Sequence, residues 1–144
     1  HKSVWDVCLN GAECLLAVRR DRDALKFLDR AVQTGVDSPE AGILKARLLA
    51  CSADDRIRDG AAALKLADQL AADAGLNPDL IAARACALAE LGRFEEAVSG
   101  LKSASFLFTE DEPGLPELIR LQKRFESGQR DRKIPLRISK VNSP

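Results

Sequence analysis

Two short phrases recur along this chain in a shared phase. Ala-x-x-Leu occurs at Ala12–Leu15, Ala46–Leu49 and Ala85–Leu88, in steps of 34 and then 39 residues. An alanine followed by an aliphatic residue occurs at Ala24–Leu25, Ala63–Leu64 and Ala97–Val98, in steps of 39 and then 34. One insertion of five residues between Ala50 and Ala63 explains both irregular steps. Self-similarity at this period is the mark of stacked helical units, each unable to bury its own apolar face alone. The chain is therefore expected to be a helical repeat protein with a unit near 34 residues, a class built to bind other chains.

Composition agrees. Of 144 residues, 46% are hydrophobic and only 4% aromatic. Alanine, the best helix former, dominates and lets helix backbones approach closely. Alternating β-branched runs are missing outside Ile134–Val141, so the fold class is all-α. Punctuation follows the repeat. Ser38-Pro39-Glu40 and Asn77-Pro78-Asp79 lie 39 residues apart, each offering a cap, a proline in the first turn and an acid suited to the helix dipole. Gly35, Gly75 and Gly92 sit where helices should end. Seven helices are predicted, near 4–18, 22–34, 39–52, 60–74, 79–91, 94–108 and 114–127. They give three hairpins (4–36, 39–75, 78–108) and a closing helix whose apolar side includes Leu115, Leu118, Ile119 and Leu121–Phe125, all within a domain 1–128.

The segment Ser52–Asp59, which holds the five-residue insertion, is polar except for Ile57, which is placed to act as a hydrophobic staple, while Asp59 can cap the next helix. It reads as a structural turn, with a binding loop as the alternative. Net charge is zero but uneven: residues 120–140 hold eight Lys/Arg and only Glu126 and Asp131 as acids. The expectation for 129–144 is a basic, flexible tail. The competing readings are attraction to nucleic acid or anionic lipid, and an arm docked on the domain.

Several chemistries find no support. No apolar run is long enough to span a membrane, and no secretory signal precedes the helices. No methionine occurs, so a piece of a longer protein is expected, with compartment open and the cytoplasm slightly favoured. Cys8, Cys14, Cys51 and Cys86 lack metal or redox spacing and read as small buried apolar residues, ahead of a disulfide framework or a metal site. The only histidine is His1, and there is no phosphate loop or nucleophile motif. No catalytic residue, metal or cofactor is therefore assigned. Glu110-Asp111-Glu112 reads as a solvated loop, and Trp5 as a cover for the open end of the stack rather than an exposed anchor.

The last hairpin, PDLIAARACALAELGRFEEAVSGLKSA from Pro78, closely resembles a tetratricopeptide repeat. Ala85 and Leu88 stand at the small and large packing positions, Gly92 at the turn, Phe94 at the aromatic that opens the second helix, and Ala97 and Ala104 at its two small positions. The first hairpin carries Ala12, Leu15, Ala24, Leu28 and Ala31 in the same places but departs at Arg19, where the glycine would stand, and at Asp21, where the aromatic would. The second carries Ala46, Leu49, Ala63 and Ala67, with Leu70 in place of the last small residue. CSADDRIRDGAAALKLADQLA resembles a variant found near the end of bacterial repeat proteins, and LQKRFESGQ resembles their capping helix. A leucine usual before each small alanine is replaced by Gly11, Lys45 and Arg84. The two cations are expected to snorkel or to pair with acids such as Glu40, Asp68 or Glu96.

The resemblance implies a right-handed α-solenoid whose first helices line a concave groove. Helical period and family usage place Asp6, Leu9, Asn10, Glu13 and Leu16 there from the first unit. The second unit offers Glu40, Ile43, Leu44 and Arg47, and the third Asp79, Ala82, Ala83, Cys86 and Glu90. Leu9, Ile43 and Leu44 would be an apolar floor, and Glu13 and Arg47 polar handles for an extended or helical peptide. The family's carboxylate clamp of lysines and asparagines is missing, because Leu9 and Glu13 stand in its positions. The expected function is a non-enzymatic scaffold or adaptor binding another protein. The alternative is a regulatory or assembly domain of a larger enzyme, with the groove packed on a sibling domain, the chain's own tail or a second copy.

Overall fold

The computed structural model describes the backbone of residues 4–33 and 39–136, and within these the side chains from residue 11 onward. The described residues form seven helices and no strand: α1 (Val4–Ala17), α2 (Asp21–Gln33), α3 (Glu40–Cys51), α4 (Gly60–Ala74), α5 (Pro78–Glu90), α6 (Phe94–Ser105) and α7 (Leu115–Glu126). Helix starts follow the caps read from sequence. The Asn77 side chain accepts from the N–H groups of Asp79 and Leu80 at 2.9 and 3.3 Å, and Asp59 accepts from that of Ala62 at 3.0 Å. Ser38 and Gly35 lie outside the described residues. The last hairpin's second helix stops at Ser105, short of the expected 108, leaving Phe106 and Leu107 largely in solvent.

The turns closing the first and third hairpins share one geometry. Gly92, with φ +80°, donates to Ala89 O at 2.9 Å, and Arg93 N–H donates to Leu88 O at 2.8 Å. In the first hairpin Arg19 takes the glycine's place with φ +62°, donating to Leu16 O at 3.0 Å, while Arg20 N–H reaches Leu15 O at 2.8 Å. The tight turn is thus imposed by helix packing even where the residue disfavours it.

Consecutive helices pack against each other, and α5 is the hub, touching α3, α4, α6 and α7. Eight of its residues are buried, among them five alanines that permit close approach on several sides. The repeating alanines all fall inside: Ala12, Ala24, Ala46, Ala63, Ala85 and Ala97 are at most 4% exposed. Ile57 from the insertion is buried in the same core. Ser52 Oγ bonds to Asp21 Oδ2 at 2.6 Å, and Arg58 ties to Glu90 at 2.9 Å and to Asp55. The insertion is a fastened structural turn.

The positions that break the repeat are each compensated. Phe27 packs its ring over Gly11, 3.0 Å from where a Cβ would stand. Arg84 pairs with Asp68 at 2.8 Å as anticipated, whereas Lys45 finds Asp29 at 2.7 Å rather than Glu40, Asp68 or Glu96. No helix among the described residues is long and apolar enough to cross a membrane.

Candidate functional site: a cleft closed by a C-terminal arm

Successive turns of α3 present Ile43, Leu44 and Arg47 to one side. Together with Glu13 of α1, Asp79 of α5 and Glu117 of α7 they line a cavity of about 520 Å³. That volume lies in the range of ligand and peptide pockets. Glu40 also lines it, so six of the residues singled out from sequence meet in one place: Glu13, Glu40, Ile43, Leu44, Arg47 and Asp79. Glu40 and Asp79 are exposed, Leu44 is half-buried and Glu13 is buried. The side chains of Trp5, Asp6, Leu9 and Asn10 lie outside the described residues. Cys86 and Glu90 do not line the cavity.

Two assignments change. Ile43 is only 6% exposed and packs with Ala67 and Leu80 in a small core of its own, so it is a structural residue more than a floor. Arg47 is not a handle left open for a partner. It is 5% exposed, and its Nη2 donates to Glu117 Oε1 at 3.0 Å and to Asp131 Oδ2 at 3.1 Å. Burial opposes its charge, but the electrostatics of Cys86 and Cys51 and the bond to Glu117 hold the guanidinium protonated. Its Nε is buried without a partner.

The second partner of Arg47 comes from the segment expected to be a free tail. Residues 129–136 run back over the helices as an arm without regular secondary structure, while 137–144 lie outside the described residues. Asp131 anchors the arm. Its side chain is 3% exposed and receives Arg120 at both oxygens (3.1 Å each), Arg47 at 3.1 Å and Arg124 at 3.4 Å. Burial alone would raise its pKa, but the Arg120 hydrogen bonds and the charges of Arg47 and Arg120 outweigh that and lower it. Glu117 behaves alike: burial is outweighed by bonds from Arg120 and Arg47. Three cations and two acids thus neutralise most of each other's charge, which the burial of Arg47 and Asp131 demands.

Flanking contacts fix the arm's direction. Arg132 Nη1 donates to Glu90 Oε2 at 2.8 Å, Arg130 Nε to the Glu90 carbonyl at 3.2 Å, and Arg124 Nε to the Arg130 carbonyl at 2.7 Å. Arg130 also stacks over the Phe94 ring, 5.7 Å from its centroid. Ile134 and Leu136 pack on the main core, and Pro135 forms one wall of the cavity. Glu90, read from sequence as a groove residue, is therefore a fastening point for the arm and for Arg58.

Beneath Asp131 lie two cysteines. The sulfurs of Cys51 and Cys86 and a carboxylate oxygen of Asp131 are all within 4.8 Å of one another, and all three residues are buried. Both cysteines are buried as expected, whereas Cys14 is exposed against that expectation; being 35 residues apart, Cys51 and Cys86 give no spacing signal for their contact. As metal ligands they are poorly placed, because both Asp131 oxygens already bind guanidinium groups. Sequence reasoning also passed over Glu117 and Asp131 themselves. The one available signal was a single acid inside the basic run Arg130–Lys133.

Compared with models of known families, with curated proteins and with solved structures, the chain matches none.

Proposed function

We propose that this chain is a non-enzymatic interaction module, a tetratricopeptide-like helical scaffold whose cleft takes an extended segment of a partner protein. One observation carries the reading: the chain's own residues 129–136 run along the helices that build the cleft, and Pro135 forms one of its walls. That segment is held by one buried carboxylate on Arg47 and Arg120 and by the aliphatic residues Ile134 and Leu136. A partner segment of the same character, an acid followed by aliphatics three and five residues on, would use the same contacts. The cavity beside Pro135 gives room for a further apolar anchor against Leu44.

Leu44 is the residue to test, because it is half-buried and lines the cavity, whereas Ile43→Asp would disrupt the small core with Ala67 and Leu80. In affinity capture with the intact chain, Leu44→Asp is expected to lose the captured partners while circular dichroism keeps its helical signal. An unchanged set of captured proteins would refute the reading.

The seated arm also favours a second reading, in which the cleft is occupied within the same polypeptide and the domain serves the regulation or assembly of a larger enzyme. The two separate in the Asp131→Ala chain. A competing arm predicts stronger capture by that variant, and a purely structural arm predicts weaker capture.

A further inference from the structure

Cys51 ends α3, and Cys86 lies midway along α5, the helix packed against it. They are 0% and 3% exposed, and their sulfurs lie within 4.8 Å of each other and of the Asp131 carboxylate. Two buried cysteines side by side satisfy packing alone, but two features go beyond packing. One is the neighbouring guanidinium of Arg47, a buried cation with one N–H left unpartnered. The other is the hydrogen bond that the two thiols share beside that cation. The Cys86 thiol hydrogen-bonds to Cys51 and, with the charge of Arg47, lowers the Cys51 pKa against the effect of burial. Burial and the bond to Cys51 push the Cys86 thiol well up. The shared hydrogen bond and the Arg47 charge favour a single thiolate at the pair, which stepwise thiol oxidation uses.

We propose that Cys51 and Cys86 are an oxidation site at which a small hydroperoxide makes a disulfide joining α3 to α5 beneath the arm. The Cys51 thiolate attacks one peroxide oxygen. The sulfur–oxygen bond forms as the oxygen–oxygen bond breaks, and the departing oxygen leaves as water after taking the Cys86 proton. The Cys86 thiolate then attacks the Cys51 sulfenic acid. The sulfur–sulfur bond forms, the sulfur–oxygen bond breaks, and hydroxide leaves and takes up the proton that Cys51 had released. Two thiols and hydrogen peroxide become one disulfide and two waters, and the two electrons pass from the sulfurs to the peroxide. Asp131 lies over the pair, so only a small oxidant enters and the arm sets the rate of entry.

The test uses the intact chain and hydrogen peroxide, read by peptide mapping under non-reducing conditions. Cys14 is exposed and reports that the oxidant is acting. The expected result is a Cys51–Cys86 cross-linked peptide that disappears on reduction, and its loss in Cys51→Ser and in Cys86→Ser. Oxidation of Cys14 while Cys51 and Cys86 stay reduced overturns the proposal, as does any other pairing of these two cysteines or their conversion to sulfinic acid without a cross-link. Sealing by the arm has its own control. Asp131→Ala is expected to form the cross-link at least several-fold faster than wild type. Leu28→Ala, which empties a fully buried core position on α2, is expected to speed it less. Equal acceleration by both variants would mean that global opening, not the arm, admits the oxidant.

Discussion

Replacing Asp131 by alanine removes the carboxylate on which Arg47, Arg120 and Arg124 converge. The cost falls unequally on the three cations. Arg120 and Arg124 have side chains 35% and 39% exposed, so each regains water and loses only about 0–1 kcal/mol. Arg47 is 6% exposed and cannot. Removing one member of a buried pair costs roughly 3–5 kcal/mol when the other is stranded. Here Glu117 stays 3.0 Å from Arg47 and keeps part of that interaction. A net loss of about 2–3 kcal/mol follows. With about 2.1 cal/mol/K of unfolding entropy per residue, this corresponds to a fall of about 8 °C in Tm for 144 residues. Urea unfolding gives the global loss, and amide exchange across 129–136 shows whether the arm opens first. The variant Asp131→Ala/Arg47→Met should be less destabilised than the sum of its singles, because no cation is then stranded. A loss below about 0.5 kcal/mol with the arm's amides still protected would refute the electrostatic anchoring.

Other consequences are as direct. Asp131 and Glu117 both titrate below their ordinary values, so the folded state binds fewer protons than the unfolded chain in that range. Their stabilisation is full above about pH 4.5 and is lost as the pH falls through the lowered values. Asp131→Asn should flatten this acid limb in pH-dependent unfolding, and an unaltered limb would count against the network. Arg19→Gly should stabilise the fold by about 0.5–1 kcal/mol in chemical denaturation. It relieves a left-handed residue worth about 1–2 kcal/mol, offset in part by glycine's extra chain entropy. Destabilisation would show that the Arg19 side chain has a role of its own. Gly114→Ala should cost roughly 1–3 kcal/mol, since the added Cβ would meet the Pro78 ring atoms at 2.6 and 2.8 Å and a ring cannot swing aside. A neutral result would mean that the junction before α7 shifts freely.

Much of the architecture could be read before any coordinates. Alanine and leucine at fixed phase mark the positions where helices must approach closely, and all six repeated alanines are buried. Caps such as Asn77 and Asp59 act within three residues, so local sequence suffices to place them. The same holds for the helix existence and order, to within a few residues at each end. The cavity residues on α3 were legible too, because helical period puts Leu44 and Arg47 near one another and the family resemblance pointed to that face. Which side chain would be consumed by another segment was not legible. Ile43 and Arg47 share that helix with Leu44, yet α4, α5, α7 and the arm bury them.

The repeat, the helix boundaries and the small residues at the helix contacts follow from interactions within a few turns of chain, and the sequence by itself determined them. Only the tertiary structure decided the fate of the basic stretch. Arg47 and Asp131 are 84 residues apart, and nothing in either neighbourhood announces the other. Charge counting suggested a solvated tail because the eight cations of 120–140 outnumber its two acids, Glu126 and Asp131. In the folded chain Arg120 and Arg124, together with Arg47 from α3, converge on Asp131, and Glu90 from α5 takes Arg130 and Arg132. The contact of Cys51 with Cys86 was settled the same way, by the packing of α3 on α5. Long-range pairing depends on which surfaces packing brings together, and local propensity carries no record of that.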